Sequence, residues 1–249
     1  MPEKPSAERY FQAEWVKPQP ILSAAPGEHR WVWDMRRPRP KAVEYNYSIA
    51  AVWGLDTPVD PRGQFVEPGR YTAVLTVDGK SQQVPVEIVA DPRVINAEYG
   101  AARQFSESLY APMEIAWRGY AETQAVRDQL EKRIASIHDP ALLAQAKALQ
   151  AKLQPPKGPH AGFGGASGTL ASLETSAEGS DTAPSDALRQ TALETIAQVN
   201  GDWAAWQKVK TGDLLQLNNA LTSAGIQPIT VPPENELNLG EASGGVDLP

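Results

Sequence analysis

The chain has 249 residues, a formal net charge of −7 and no cysteine. An acidic balance without a basic stripe argues against a nucleic-acid footprint, and the lack of cysteine excludes disulfides, thiolate metal sites and cysteine nucleophiles. No stretch is apolar enough for a membrane span, and the N-terminus has no apolar core of a signal peptide.

Residues 1–25 are polar and proline-rich and read as an extended arm. Tyr10, Phe11, Trp15, Ile21 and Leu22 are apolar anchors within it. Glu28 to Arg36, EHRWVWDMR, alternates as a strand, with Trp31, Trp33 and Met35 on one face. Two tryptophans on one face fit a core wall; the alternative is a platform that stacks sugars or bases. Asp34 beside Arg36 and Arg37 fits a strand-end ion pair better than a catalytic carboxylate. Ala42 to Gly54 carries Tyr45, Tyr47, Ile49, Ala51 and Trp53 at period two, a further strand.

Val66 to Arg93 predicts a β-hairpin. Tyr71, Ala73, Leu75 and Val77 alternate with Thr72, Val74, Thr76 and Asp78. Asp78-Gly79 supplies the positive φ of a tight turn, and Val84, Val86 and Ile88 share one face of the return strand. Pro85 removes a ladder donor, which places that strand at an edge or turns the nitrogen outward. Tyr71 follows the Pro68-Gly69 turn, so its hydroxyl either meets nearby backbone or its ring is simple packing. Residues 26–92 therefore predict a small Ig/fibronectin-like antiparallel β-sandwich.

At Asp91-Pro92-Arg93 the spacing changes from two to three and four. Phe105, Leu109, Met113, Ala116, Tyr120, Thr123, Val126, Leu130, Ile134 and Ile137 form a long helical stripe, with a kink or break expected near Leu109 because of Pro112. Asp139-Pro140 predicts the cap and first position of a second helix with Leu142, Ala146, Leu149 and Leu153 on its stripe. Residues 155–168 read as a Gly/Pro loop, without the ending of a phosphate cradle, and Thr169 to Ala177 as a short helix. Leu188, Ala192, Ile196, Val199, Trp203 and Trp206 predict another helix, and Leu214, Leu217 and Leu221 the last, stopped by Gly225. Residues 93–229 thus predict an antiparallel helical bundle, and 230–249 a disordered acidic tail. The fold class expected is α+β, sandwich then bundle.

No reactive constellation emerges. His29, His138 and His160 are scattered, and the acids Asp34, Glu44, Asp56 and Asp60 pair only by chance among 30 acidic residues. No catalytic, cofactor or metal residue is assigned. Trp31, Trp33, Tyr45, Tyr47 and Trp53 are the candidate ligand or partner contacts.

RWVWDMR, then PGRYTAVLTVDGKSQQVPVEIVADPRV, then a long helix and the segment ending LNNALTSAGIQPI, resembles the C-terminal region of bacterial BNR-repeat, sortilin-type β-propeller proteins. These are often labelled glycosyl hydrolases. The resemblance covers about residues 26–229 and implies an extracytoplasmic protein. The family's propeller would precede this region, and any hydrolytic residues would lie there. The resemblance therefore implies a non-catalytic accessory module that binds a protein partner or its own propeller. A carbohydrate-binding module, or part of a glycoside hydrolase, is the first alternative. A protein that self-associates through its helices is the second.

Overall fold

A computed structural model describes residues 23–47, 59–94, 98–154, 157–158, 160–179 and 182–237, with the side chains of 46, 47 and 59 excepted. Among the described residues ten elements follow in chain order. They are β1 (Asn46–Tyr47), β2 (Val59–Asp60), β3 (Gly69–Val77), β4 (Lys80–Ile88), α1 (Tyr99–Ile134), α2 (Pro140–Lys152), α3 (Gly162–Glu178), α4 (Asp186–Thr211), α5 (Asp213–Ser223) and a short 3-10 helix, Glu234–Glu236, at the start of the stretch expected to be a disordered tail.

The sandwich expected for 26–92 is not there. Among the described residues the strands form two separate two-stranded antiparallel pieces, β1–β2 and β3–β4, and the molecule is mainly a helical bundle. One physical reason lies at the expected first strand. Met35 adopts φ 62°, a left-handed turn that ends any extended run through RWVWDM, and only an isolated bridge pairs Arg36 with Phe65. The other reason is that, among the described residues, no second sheet covers β3–β4, most of whose residues are exposed on both faces.

The helices carry the core. The N-terminal half of α1 packs with α3 and α4 through Phe105, Leu109, Met113, Leu170, Leu173 and Val199. Its C-terminal half packs with α2 and α4, and α5 closes the same core against α2 and α4; Val126, Leu130, Leu149, Trp206, Leu217 and Leu221 belong to it. The stripe read from Phe105 to Ile137 is therefore buried within the chain, although Tyr120, Thr123 and Ile134 lie at its margin while Gly119 and Glu122 are buried instead. The break expected near Leu109 does not occur. α1 runs unbroken for 36 residues with Pro112 buried inside it.

Local chemistry sets several boundaries. Asp139 accepts a 2.7 Å hydrogen bond from Leu142 N, with Pro140 at the first helical position of α2. At the end of α5, Gly225 takes φ 72°, Ile226 N bonds Leu221 O at 2.9 Å and Gly225 N bonds Thr222 O at 3.0 Å. That pair of bonds satisfies carbonyls the helix leaves free. α3 begins at Gly162, well before the expected Thr169, so part of the expected Gly/Pro loop is helix. Packing explains it: a Cβ on Gly119 of α1 would lie 2.5 Å from the Phe163 ring. Close approach of α1 and α3 outweighs the poor helix propensity of the glycine run.

The extended segment before β1 is strapped to this bundle. Arg37 pairs with Glu107 at 2.7 Å, Val43 N bonds Ser167 Oγ at 3.0 Å, and Ala42 is buried among α1, α3 and α4 residues.

Candidate interaction surface

The hairpin β3–β4 owes its register to its turn. Asp78 and Gly79 have φ 50° and 75°, the mirror-image turn whose twist matches the strands. Val77 then faces Lys80, and every pair behind it follows: Leu75 with Gln82, Ala73 with Val84, Tyr71 with Val86. Directly opposed residues share a face. One face therefore gathers Tyr71, Ala73, Leu75, Val77, Val84 and Val86. The other gathers Arg70, Thr72, Thr76, Ser81, Gln83 and Glu87, with Val74 and Pro85 among them.

The apolar face is open to solvent. Leu75, Val77 and Val84 are 52%, 58% and 60% exposed. A two-stranded hairpin alone is marginal in water, and an exposed contiguous apolar patch marks a contact site.

The foot of the hairpin is firmly held. Tyr71 donates its hydroxyl to Glu67 O at 2.7 Å, so the first of the two readings for this tyrosine is the one found. The Trp33 ring meets Tyr71 edge-on at 6.3 Å, and its indole nitrogen donates to Arg36 O at 2.9 Å. Arg36 is the hub. Its guanidinium pairs with Glu178 at 2.9 Å, donates to Gly63 O at 2.6 Å and lies 3.5 Å from the centre of the Phe65 ring. Phe65 N donates to the same Glu178 oxygen at 3.2 Å. A Cβ on Gly63 would fall 1.6 Å from Arg37 O, so no other residue fits there.

Between this foot and the helices lies a cleft of about 230 Å³, bordered by Met35, Phe65, Ile88, Tyr99, Arg103 and Glu178. Phe65 and Met35 are 45% and 46% exposed on its wall. Its rim is charged: Arg103 pairs with Glu67 at 3.0 Å and Glu107 at 2.8 Å. Apolar wall and charged rim are the makings of a contact point for a polypeptide side chain.

Beneath the cleft the charges are buried. Gln64 N donates to the Tyr110 hydroxyl at 2.8 Å, and Gln64 Nε2 to Arg103 O at 3.0 Å. Burial, aided by Glu174 and Glu178, pushes the Tyr110 phenol up to about 12. Glu174 is fully buried and neither carboxylate oxygen has a partner among the described residues. Burial, with Glu178 beside it, pushes its carboxyl up to about 8. It is therefore mostly protonated at neutral pH.

Of the five aromatic residues named as candidate contacts, the three whose side chains are described, Trp31, Trp33 and Tyr45, take separate places. Trp31 is 53% exposed. Trp33 is half-buried in the hairpin foot. Tyr45 packs on the helices, its hydroxyl donating to Pro40 O at 2.8 Å. Tyr47 belongs to β1, but its side chain lies outside the described residues, as does all of Trp53. Arg36, Tyr110, Glu174 and Glu178 were not legible as a group: Arg36 and Glu178 are 142 positions apart. Among the described residues no cluster of three or more histidines and acids suited to a metal ion occurs.

A scan of family models, a search of curated proteins and a search of solved structures each return no match.

Proposed function

We propose that the chain is a protein-docking module whose contact is the apolar face of β3–β4 together with the cleft at its foot. The observation that carries this reading is the open row Tyr71, Ala73, Leu75, Val77, Val84 and Val86, presented on a hairpin anchored by Trp33 and Arg36. An apolar sheet face held on a rigid foot binds by burying area rather than by folding around its partner. The occupant is a folded polypeptide that presents a complementary apolar patch. The resemblance names a β-propeller as that partner.

The test is calorimetry against a β-propeller from the resembled family, supplied as a separate polypeptide. Saturable binding with a negative heat-capacity change is expected. Leu75→Lys and Val84→Lys alter exposed positions, so they leave the bundle folded and weaken binding by roughly tenfold or more each. Absence of saturable heat, or affinity unchanged by both variants, overturns the reading. Sugar stacking draws on the exposed Trp31 ring, and a glycan array with a Trp31→Ala control separates it from protein docking.

A further inference from the structure

We propose that the outer edge of β3 pairs antiparallel with the same edge of a second copy of this chain, about a two-fold axis at Val74. This goes beyond the docking face. The strands join in the plane of the sheet and leave that face open.

The geometry of the edge comes first. In a hairpin with a two-residue turn the closing pair, here Val77 and Lys80, is hydrogen-bonded, and the pairs alternate from there. Leu75–Gln82, Ala73–Val84, Tyr71–Val86 and Gly69–Ile88 are then bonded pairs. Arg70, Thr72, Val74 and Thr76 direct their N–H and C=O groups away from β4. The 2.8 Å contact between the Thr76 and Ser81 hydroxyls fits the closer side chains of a non-bonded pair.

The two edges differ. Pro85 stands opposite Thr72, in a non-bonded pair, so its missing donor falls on the outer edge of β4. A proline there blunts that edge against further pairing. The β3 edge has an unbroken row of donors and acceptors, and its residues from Thr72 to Val77 are exposed. Among the described residues the sheet has no third strand. An unblunted edge is a template for another strand.

The order of side chains along the edge names the occupant. It runs Arg70, Thr72, Val74, Thr76, then Asp78 in the turn. Laid antiparallel on itself with Val74 opposite Val74, this row matches itself. Thr72 meets Thr76 of the second copy, and Arg70 meets Asp78. Threonine pairs, β-branched pairs and opposite charges are all favourable across strands. Each unlike contact occurs twice, as a two-fold interface requires. The same register sets Ala73 beside Leu75 and Tyr71 beside Val77, so the two apolar faces continue into one four-stranded sheet. It also accounts for Val74, an apolar side chain 55% exposed among the polar ones of its face. On the axis its counterpart covers it.

The hairpin tip limits the register. With Val74 on the axis, Gly79 of one copy lies opposite Gly69, the first residue of β3. A shift of two residues inward would drive each turn past β3 into the foot. A shift of two outward gives up one of the three bonded pairs and takes Arg70 past Asp78. Three bonded pairs make a small contact, at the weak end of interfaces. Four strands take the hairpin past the size at which a sheet is marginal.

Sedimentation equilibrium and amide exchange by NMR, on the full chain between about 10 μM and about 1 mM, suit a weak interface. The mass should rise towards that of a dimer. The outward amides of Thr72, Val74 and Thr76 should exchange about tenfold or more slowly at the higher concentration, while those of Ala73 and Leu75, bonded to β4, stay constant. Val74→Lys sets like charges on the axis and abolishes both effects. Its position is exposed in the single chain, so the Ala73 and Leu75 amides remain protected. Cysteine variants read the register, because the chain has no cysteine of its own. Bonded partners have Cα atoms about 5.5 Å apart, within disulfide range. Val74→Cys should cross-link to itself under mild oxidation. Thr72→Cys should cross-link to Thr76→Cys in a mixture and not to itself. A chain that stays monomeric throughout overturns the proposal, as does equal self-linking of all three cysteine variants. Association that Leu75→Lys abolishes and Val74→Lys leaves intact means stacking through the docking face and also overturns it. So does outward protection that is independent of concentration, which assigns the edge to a partner within one chain.

Discussion

Glu122 on α1 accepts a 2.7 Å hydrogen bond from the Trp206 indole nitrogen on α4, deep in the bundle. Arg118 and Lys210 each reach the same carboxylate at 2.7 Å, and Lys210 lies 5.0 Å from the centre of the Trp203 ring. Burial alone would raise the Glu122 carboxyl. The bonds from Lys210, Arg118 and Trp206 outweigh it and hold the group below its ordinary value. This is a clamp between helices, with both carboxylate oxygens engaged.

Removing one member of a buried charge network leaves the others unpaired. Glu122→Ala is expected to cost about 3 kcal/mol in urea unfolding, and Glu122→Gln somewhat less because its amide oxygen still meets the indole. The sign with pH follows from the depressed carboxyl. Its contribution is full above the unfolded value of about 4.3 and is lost as pH falls through the folded value. Acid unfolding of Glu122→Gln should lack that component, and a comparison of urea midpoints at pH 7 and pH 4 reads it.

The hairpin turn makes a second, local prediction. Gly79 has φ 75°. A β-branched residue there costs about 1–2 kcal/mol in backbone strain. Gly79→Val should speed exchange of β3 and β4 amides while leaving the helical circular dichroism unchanged, because few contacts tie the hairpin tip to the bundle.

Tyr71→Phe tests the foot instead. It removes the 2.7 Å bond to Glu67 O while keeping the ring against Trp33. A loss of about 1 kcal/mol in hairpin protection is expected, read by the same exchange measurement. No change would mean that the ring alone anchors the strand.

These two variants also mark where sequence is informative. The Asp78-Gly79 turn, the Asp139 cap and the Gly225 stop were legible because each depends on chemistry within a few residues. So was Pro85 at an outward-facing nitrogen. The sandwich was not, because alternation shows that a strand has an apolar face but not whether a second sheet covers it. Met35 in a left-handed conformation also carries no sequence mark. The start of α3 was hidden because its glycines serve contact with α1, a purely tertiary cause. The foot of the hairpin was hidden for the same reason: Arg36, Gln64, Tyr110 and Glu178 meet only through the fold.

Gly119 gives a packing prediction. A methyl there meets the Phe163 ring at 2.5 Å, and that ring is itself held edge-on to Trp203 at 6.4 Å. Gly119→Ala gains helix propensity of about 1 kcal/mol but forces the ring aside at a cost of about 1–3 kcal/mol. Net destabilisation is expected, and Phe163→Leu in the same chain should relieve most of it. A double-mutant cycle of thermal unfolding measures the coupling.

Glu174 yields the opposite pH dependence to Glu122. Its folded carboxyl sits at about 8, against about 4.3 when unfolded. Below the unfolded value both states are protonated and the group is neutral to stability. Between the two values the unfolded chain releases the proton and the folded chain keeps it, so stability falls as pH rises. Above about 8 the folded state carries an unpaired charge facing Glu178 and Asp60, with Arg36 and Arg62 the opposing cations and Tyr110 and Arg37 near by. Arg36 is already engaged with Glu178 and Gly63. Glu174→Gln imitates the protonated form without titrating. It should therefore match the parent chain near pH 4 and exceed it by about 4–5 kcal/mol at pH 8. Urea midpoints between pH 4 and pH 8.5 give the two curves. Parallel curves would mean that the carboxylate finds a partner on ionising, and diverging ones that it is held neutral between α1, α3 and the loop of Arg62 to Phe65.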